Sequence, residues 1–231
     1  MITTALIDYD GTLHDYDTVL TRSLDGILGL RGEELYHIYV YPVHRAIVHT
    51  GHLDRHDDTM FHCELIFEHL GRPFDPEVAE LIVRRFNEAA ERAREDPIYF
   101  PEAIQALDDV KDMGIKMCLS TGRDAEEKAK TLTRVTGSRH FTHVFSETAL
   151  GVLKTEPEYY VRALDITGSE PKETVSIGDT PLSDIRPARM VGINTIWLNR
   201  RGEPGPDAGD QTADHEVEDL RQAVQLIRDG L

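Results

Sequence analysis

The chain has 231 residues, 40% hydrophobic and 29% charged, which suits one large domain, or a core with a smaller insert, around a buried interior. Its formal charge of −17 argues against a general affinity for nucleic acid or an anionic membrane. No run approaches the roughly 18 apolar residues of a membrane span, and MITTALIDYD lacks the basic and apolar regions of a signal peptide, so a cytoplasmic setting is expected.

The first apolar run, Ala5-Leu6-Ile7, reads as a strand that ends in Asp8 and Asp10, followed at once by Gly11-Thr12. Residues 16–95 then read as almost wholly helical. Apolar residues recur at helical spacing over 19–30 and 33–51, and Pro42 should kink or split the second segment. A further amphipathic helix spans 55–71. A long charged one follows Asp75-Pro76, with Asp75 as N-cap and Pro76 at the first helical position. From Pro97 the pattern alternates. Helices are predicted near 101–113 and over 124–137, 156–168, 181–192 and 218–230. Strands are predicted at 115–120, 143–145, 173–179, 194–199 and 215–217, with a Gly/Pro-rich loop at 199–213. This alternation implies an α/β fold with a parallel sheet covered on both faces. The helical block follows the first strand directly, so it is expected to be an insert over the strand ends: a core of 1–15 and 96–231, an insert of 16–95. Cys63 and Cys118, far apart in apolar contexts, read as buried thiols of a reducing compartment rather than a disulfide.

Four short motifs carry chemistry. On an extended strand, residues two apart point the same way, so Asp8 and Asp10 present two carboxylates toward one spot, and Gly11 lets the chain leave sharply. Open α/β sheets place their chemistry at this edge, although Asp and Gly are also ordinary turn residues. Thr121-Gly122-Arg123 lies at a strand-to-helix turn, where a hydroxyl and backbone N–H groups either bind phosphate oxygens or cap the helix. Lys154 precedes a helix starting near Glu156-Pro157; the other five lysines (111, 116, 128, 130 and 172) read as solvated surface. The last motif ends a strand with Gly178-Asp179 and adds Asp184 five residues on. Asp179 could simply cap the next helix. Carboxylates converging with Asp8, however, would repel one another without a cation between them. Hard oxygen donors with a phosphate substrate favour Mg²⁺, with Asp8, Asp10 and Asp179 around it.

In this order and spacing, DYDGTLHD (8–15), Thr121, Lys154 with Pro157 as K-x-x-P, GDTPLSD (178–184) and ARMVGINTIWLNRRG (188–202) resemble the haloacid dehalogenase-like hydrolase superfamily. The resemblance covers essentially the whole chain. It implies a Rossmann-like core with a mobile helical cap, Mg²⁺ as cofactor and an aspartyl-phosphate intermediate. Carried over by position, Asp8 is the nucleophile and Asp10 the general acid/base. Thr121 and Lys154 hold the transferred phosphoryl beside Gly122, with Ser120 the alternative hydroxyl. Asp179 binds the metal, and Asp184 binds or orients it. Gly122 stands where many relatives have asparagine.

Within that superfamily, dehalogenases replace the second aspartate, so Asp10 argues for phosphate chemistry. Phosphonate-cleaving relatives use a cap lysine, and residues 16–95 contain none. The expected activity is hydrolysis of a small phosphomonoester. A phosphomutase with the same core residues, or a silent phosphometabolite-binding protein, are the alternatives. The protein is expected to act as a monomer or homodimer, without nucleic-acid or membrane partners. The insert is rich in histidine, at 37, 44, 49, 52, 56, 62 and 69. These read as surface or entrance residues, and His52 with His56 could share a helical face as metal ligands do. Arg45 and Arg123, with Tyr36, Tyr39 and Tyr41, are candidate substrate-facing residues.

Overall fold

Strands form where the apolar runs fall. They are β1 (Thr4–Ile7), β2 (Lys116–Ser120), β3 (His143–Phe145), β4 (Thr174–Gly178), β5 (Asn194–Leu198) and β6 (His215–Val217). All pair in parallel in the order β3-β2-β1-β4-β5-β6. β1 is buried at every residue, as a strand with helices on both faces must be. Ala5 and Ile7 join Met117, Leu119, Val175, Ile177 and Ile196 on one side, with Leu107, Val224 and Ile227 from covering helices. Leu6 joins Cys118, Phe145, Tyr159, Tyr160 and Leu164 on the other. This is the expected α/β fold. The computed structural model that shows it describes residues 1–48, 51–55, 58–203, 205 and 212–231, without the side chains of Arg45 and Leu53.

Successive crossovers run outward from β1 in both directions, through β2 to β3 and through β4 to β6. The connections therefore diverge beside β1, and such a switch point opens a crevice at the carboxyl ends of the strands. Ile7 lies level with Leu119 of β2 and Ile177 of β4. The chain thus leaves the sheet at Asp8, Ser120 and Gly178 along one edge.

The described residues divide into two compact units, Met1–Asp15 with Tyr99–Leu231, and Tyr16–Ile98. The first holds the sheet. The second is helical, with helices at Tyr16–Leu24, Gly32–Ile38, Thr59–His69 and Pro76–Glu95. Its own core includes Leu20, Leu24, Leu35, Val43, Ile66, Ile82 and Ala89. Asp75 caps the last of these helices, accepting from the N–H groups of Glu77 at 3.0 Å and Val78 at 3.3 Å, and Pro76 opens it.

One helical expectation needs correction. The segment predicted over 19–30 begins at Tyr16 and stops at Leu24, after which Gly26 takes φ +80° and a short turn covers Ile27–Gly29. Near Pro42 the segment changes register, in keeping with its expected disruption: the α-helix Gly32–Ile38 gives way to a π-type stretch, Tyr39–Val48, with Pro42 inside it, and proline removes an N–H and crowds the carbonyl four residues before it. A short helix that the sequence does not announce, Glu147–Leu150, starts at Ser146, whose hydroxyl accepts from the Ala149 N–H at 3.2 Å. No described helix is long and apolar enough to cross a membrane.

Candidate active site

Three strand ends supply the site. After β1, Asp8 faces the sheet edge, and Gly11 turns the chain at φ +79°. A Cβ on Gly11 would stand 2.6 Å from the Asp179 carboxylate carbon, and one on Gly178 would stand 2.2 Å from that of Asp184. Glycine at 11 and 178 therefore makes the space in which these two carboxylates approach Asp8. One oxygen each from Asp8, Asp179 and Asp184 lies within 4.8 Å of the others.

Lys154 holds this acidic group together. Its buried ammonium donates to Asp8 Oδ1 at 2.6 Å and to the Ser120 carbonyl at 2.7 Å, and it pairs with Asp184 Oδ1 at 2.6 Å. Three protons thus meet three acceptors. Burial alone would push the ammonium's pKa down, but Asp184 and Asp8 outweigh it and hold it well above its ordinary value. Burial pushes the Asp184 carboxyl up, Lys154 pulls it back and Asp8 adds to the rise, leaving it at about 6. The lysine backbone is fixed as well, its N–H donating to Glu147 Oε1 at 2.9 Å. The Thr12 hydroxyl donates to the second oxygen of Asp8 at 3.3 Å. Thr180 N–H donates to Asp184 Oδ2 at 3.0 Å, and the Trp197 indole N–H donates to the Asp179 carbonyl at 2.9 Å.

Asp10, expected around the cation with Asp8 and Asp179, is not among these converging carboxylates and belongs to a second group. His14 Nδ1–H donates to its Oδ1 at 2.8 Å, and Lys128 Nζ donates to its Oδ2 at 2.7 Å and to Thr121 Oγ1 at 2.9 Å. Burial pushes the Asp10 carboxyl up, but the His14 hydrogen bond and Lys128 together bring it down to about 2. Lys128 is thus no surface lysine: its side chain is only 19% exposed. Helix Ala125–Thr136 carries it to the edge of β2. The two neighbouring hydroxyls separate. Ser120 Oγ donates to Tyr159 OH at 3.3 Å, whereas Thr121 faces Lys128. The Gly122 carbonyl accepts from the Glu147 N–H at 3.0 Å, and Arg123 is exposed on the same turn. Behind the first motif, Arg200 donates to the carbonyls of Gly11 at 3.3 Å and Thr12 at 2.9 Å and pairs with Glu102 at 2.7 Å.

The acidic group fits a hard divalent cation. Its donors are all carboxylate oxygens, the ligands that a hard divalent cation takes. Across both groups four carboxylates face two ammonium groups, leaving two negative charges for one divalent ion to balance.

A family model described as haloacid dehalogenase-like hydrolase matches residues 2–192. The chain belongs to the haloacid dehalogenase-like (HAD) hydrolase family. Among its relatives, a phosphoserine phosphatase of Thermus thermophilus is 30% identical over 65% of this chain and 64% of its own length. The chain therefore spans just under two thirds of that relative. A glyceraldehyde 3-phosphate phosphatase of Methanopyrus kandleri is 29% identical over 73% of this chain and 72% of its own length. The HAD hydrolase YfnB of Bacillus subtilis, solved bound to magnesium, shares the fold at TM-score 0.76 and 17% identity, covering 98% of both chains.

Of the residues singled out from the HAD motifs, the structure brings Asp8, Asp179, Asp184 and Lys154 together and sets Asp10 and Thr121 around Lys128. The Arg45 side chain, His49 and His56 lie outside the described residues. The histidines of the helical unit are not all on its surface. His62 is fully buried, its Nδ1–H donating to the Asp58 carbonyl at 2.7 Å and its Nε2 2.9 Å from His44 Nδ1. Tyr39 stacks on His62, with ring centres 4.9 Å apart. Sequence reasoning missed Lys128, Thr12, His14 and Trp197. The signals available were the scarcity of lysine and the fact that Thr12 and His14 follow Asp8 and Asp10 by four residues.

Proposed function

We propose that this HAD hydrolase is a Mg²⁺-dependent phosphatase that cleaves a small phosphomonoester through an aspartyl-phosphate on Asp8. The observation that carries the reading is the buried Lys154 ammonium, 2.6 Å from Asp8 and 2.6 Å from Asp184. A charge cluster this deep is weak as a stabilising device and is understandable as a site for anionic chemistry. The phosphatase names of two relatives support the same reading.

In the first step the Asp8 carboxylate attacks phosphorus, the bond to the leaving oxygen breaks, and Asp10 gives that oxygen a proton. In the second, Asp10 takes a proton from water as water attacks the acyl phosphate, releasing inorganic phosphate and restoring Asp8. Lys154 and the Ser120–Thr121 turn hold the phosphoryl oxygens, with the Gly122 backbone beside them. Asp8, Asp179 and Asp184 would hold Mg²⁺, which supplies charge neutralisation at the transferring phosphoryl when bound. Anionic at rest, Asp10 is ready as the base of the second step. As acid of the first it must gain a proton, which requires that its cationic partners loosen.

Residues 16–95 serve in this reading as the substrate-selecting cap, since they are inserted in the sequence between the nucleophile loop and the rest of the core; Arg45 of this insert and Arg123 of the α/β unit are the candidate substrate contacts. All the proposed catalytic residues lie in the α/β unit of one chain, so a monomer suffices and a homodimer would carry two sites. The two buried free thiols support a cytoplasmic setting. Released inorganic phosphate from a panel of metabolite phosphates, with and without EDTA, tests the activity. A shift in Trp197 fluorescence on adding Mg²⁺ tests the metal site directly, because the chain has a single tryptophan. Full turnover after metal removal, or an isomerised phosphate ester in place of free phosphate, would overturn the reading.

A further inference from the structure

The two lysines of the site are held differently. Lys154 is buried and has an acceptor for each ammonium proton. Lys128 stands in the first turn of its helix, just after Asp124, a non-glycine residue at φ +55° that reverses the chain there. Its ammonium touches Asp10 Oδ2 and Thr121 Oγ1 and lies 5.3 Å from the centre of the Tyr9 ring.

Asp10 consequently has both oxygens engaged, one by Lys128 and one by His14. A carboxylate that exchanges protons with a leaving oxygen and then with water needs one oxygen open. The His14 side cannot readily open, because that ring is buried at 3% exposure between Tyr9 and Tyr99, at ring-centre distances of 5.4 and 6.2 Å. The Lys128 side can. Its four-carbon stem is flexible and its flank is partly exposed. Its other contact, the Thr121 hydroxyl, already leads toward the phosphoryl position. A phosphoryl group arriving there offers several charged oxygens to the ammonium, against one from Asp10.

We propose that Lys128 is a substrate-responsive latch, paired with Asp10 in the empty site and transferred to the phosphoryl oxygens beside Thr121 when substrate binds, which opens Asp10 Oδ2 for proton exchange. Lys128 is then a second phosphate-binding lysine, and Asp10 and phosphate compete for it. No bond is made or broken in the exchange; one ion pair replaces another. The inference rests on the phosphatase reading given above.

The test uses the full chain with saturating Mg²⁺ and inorganic phosphate as the probe, its affinity measured by calorimetry and by competitive inhibition. Lys128→Met should weaken phosphate about 10- to 100-fold, the scale of a lost charged hydrogen bond, and Lys128→Arg should restore most of it. Asp10→Asn should tighten phosphate, because the lysine is no longer held back, and this gain should shrink clearly in a Lys128→Met background. That sign of coupling distinguishes competition from a purely structural role. Phosphate affinity of a folded Lys128→Met chain within about twofold of wild type, or an Asp10→Asn gain of equal size in both backgrounds, would overturn the latch. If Lys128→Met does not fold, Asp10→Asn decides alone, and unchanged or weaker phosphate binding overturns the proposal. A wild-type chain that released no phosphate from any ester would instead overturn the phosphatase reading beneath it.

Discussion

The two units of this chain bury different things. The α/β unit places Asp8, Lys154 and Asp184 at low exposure beside the carboxyl ends of its strands. Among its described buried residues the helical unit has chiefly leucine, isoleucine, valine and alanine, with Tyr36, Cys63 and Phe67, and His62 the one buried side chain of strongly polar character. Burying apolar side chains stabilises a fold at roughly 25 cal/mol per Å², whereas charges taken out of water cost more than they return unless geometry is excellent. The helical unit is thus built as an ordinary core. The α/β unit keeps an electrostatically expensive cluster, which the proposed chemistry would explain.

That contrast can be broken by substitutions on each side of it. The largest effect should come from Asp8→Asn, which removes the proposed nucleophile and should lower turnover by roughly 10⁴-fold or more. Rapid quenching and intact-mass measurement should show no phosphate adduct on this variant. Asp10→Asn should slow turnover about 10²- to 10⁴-fold. With a nitrophenyl ester, whose leaving group needs little protonation, it should still accumulate the adduct; a wild-type rate, or no adduct, would mean that the pair is misassigned.

Lys154→Met should also cost stability, because Asp8 and Asp184 are left buried beside each other. Breaking a buried pair this way costs about 3–5 kcal/mol, measurable by urea unfolding without added metal. A neutral result would mean that the cluster is already well solvated. On the other side, Leu35→Ala removes a side chain with no exposure and should destabilise the chain by about 2–5 kcal/mol. Any Trp197 fluorescence change that Mg²⁺ causes in the wild-type chain should persist in that variant, as long as the chain is folded.

The smallest expected effect is the acid dependence of Asp10. Its folded-state value is depressed to about 2 from an ordinary 3.8. Above 3.8 the stabilising ion pair is fully present. Between there and about 2 the unfolded chain binds the proton first, so stability is lost as pH falls. The side chain is 40% exposed, and solvent screening holds the contribution below about 1 kcal/mol. Subtracting the unfolding curves of Asp10→Asn from wild type between pH 2 and 5 should isolate it. An equal difference at every pH would show that the ion pair contributes nothing.

By itself the sequence determined the α/β class and the order of its elements, because apolar runs, helical periodicity and turn residues are local signals. Asp75-Pro76 announced a helix start that forms as read, and Ala5-Leu6-Ile7 announced a buried strand. Asp8 with Asp10, and Asp179 with Asp184, were legible as acidic strand ends for the same reason. The tertiary structure alone decided which of them meet. A parallel sheet that places β4 directly beside β1 brings Asp179 and Asp184 to Asp8 across some 170 residues of chain. The same sheet edge, with helix Ala125–Thr136 turned by Asp124, carries Lys128 to Asp10 across 118 positions. No local pattern separates that lysine from a solvated one. Its role depends on the direction of a helix axis, and packing on the sheet sets that direction.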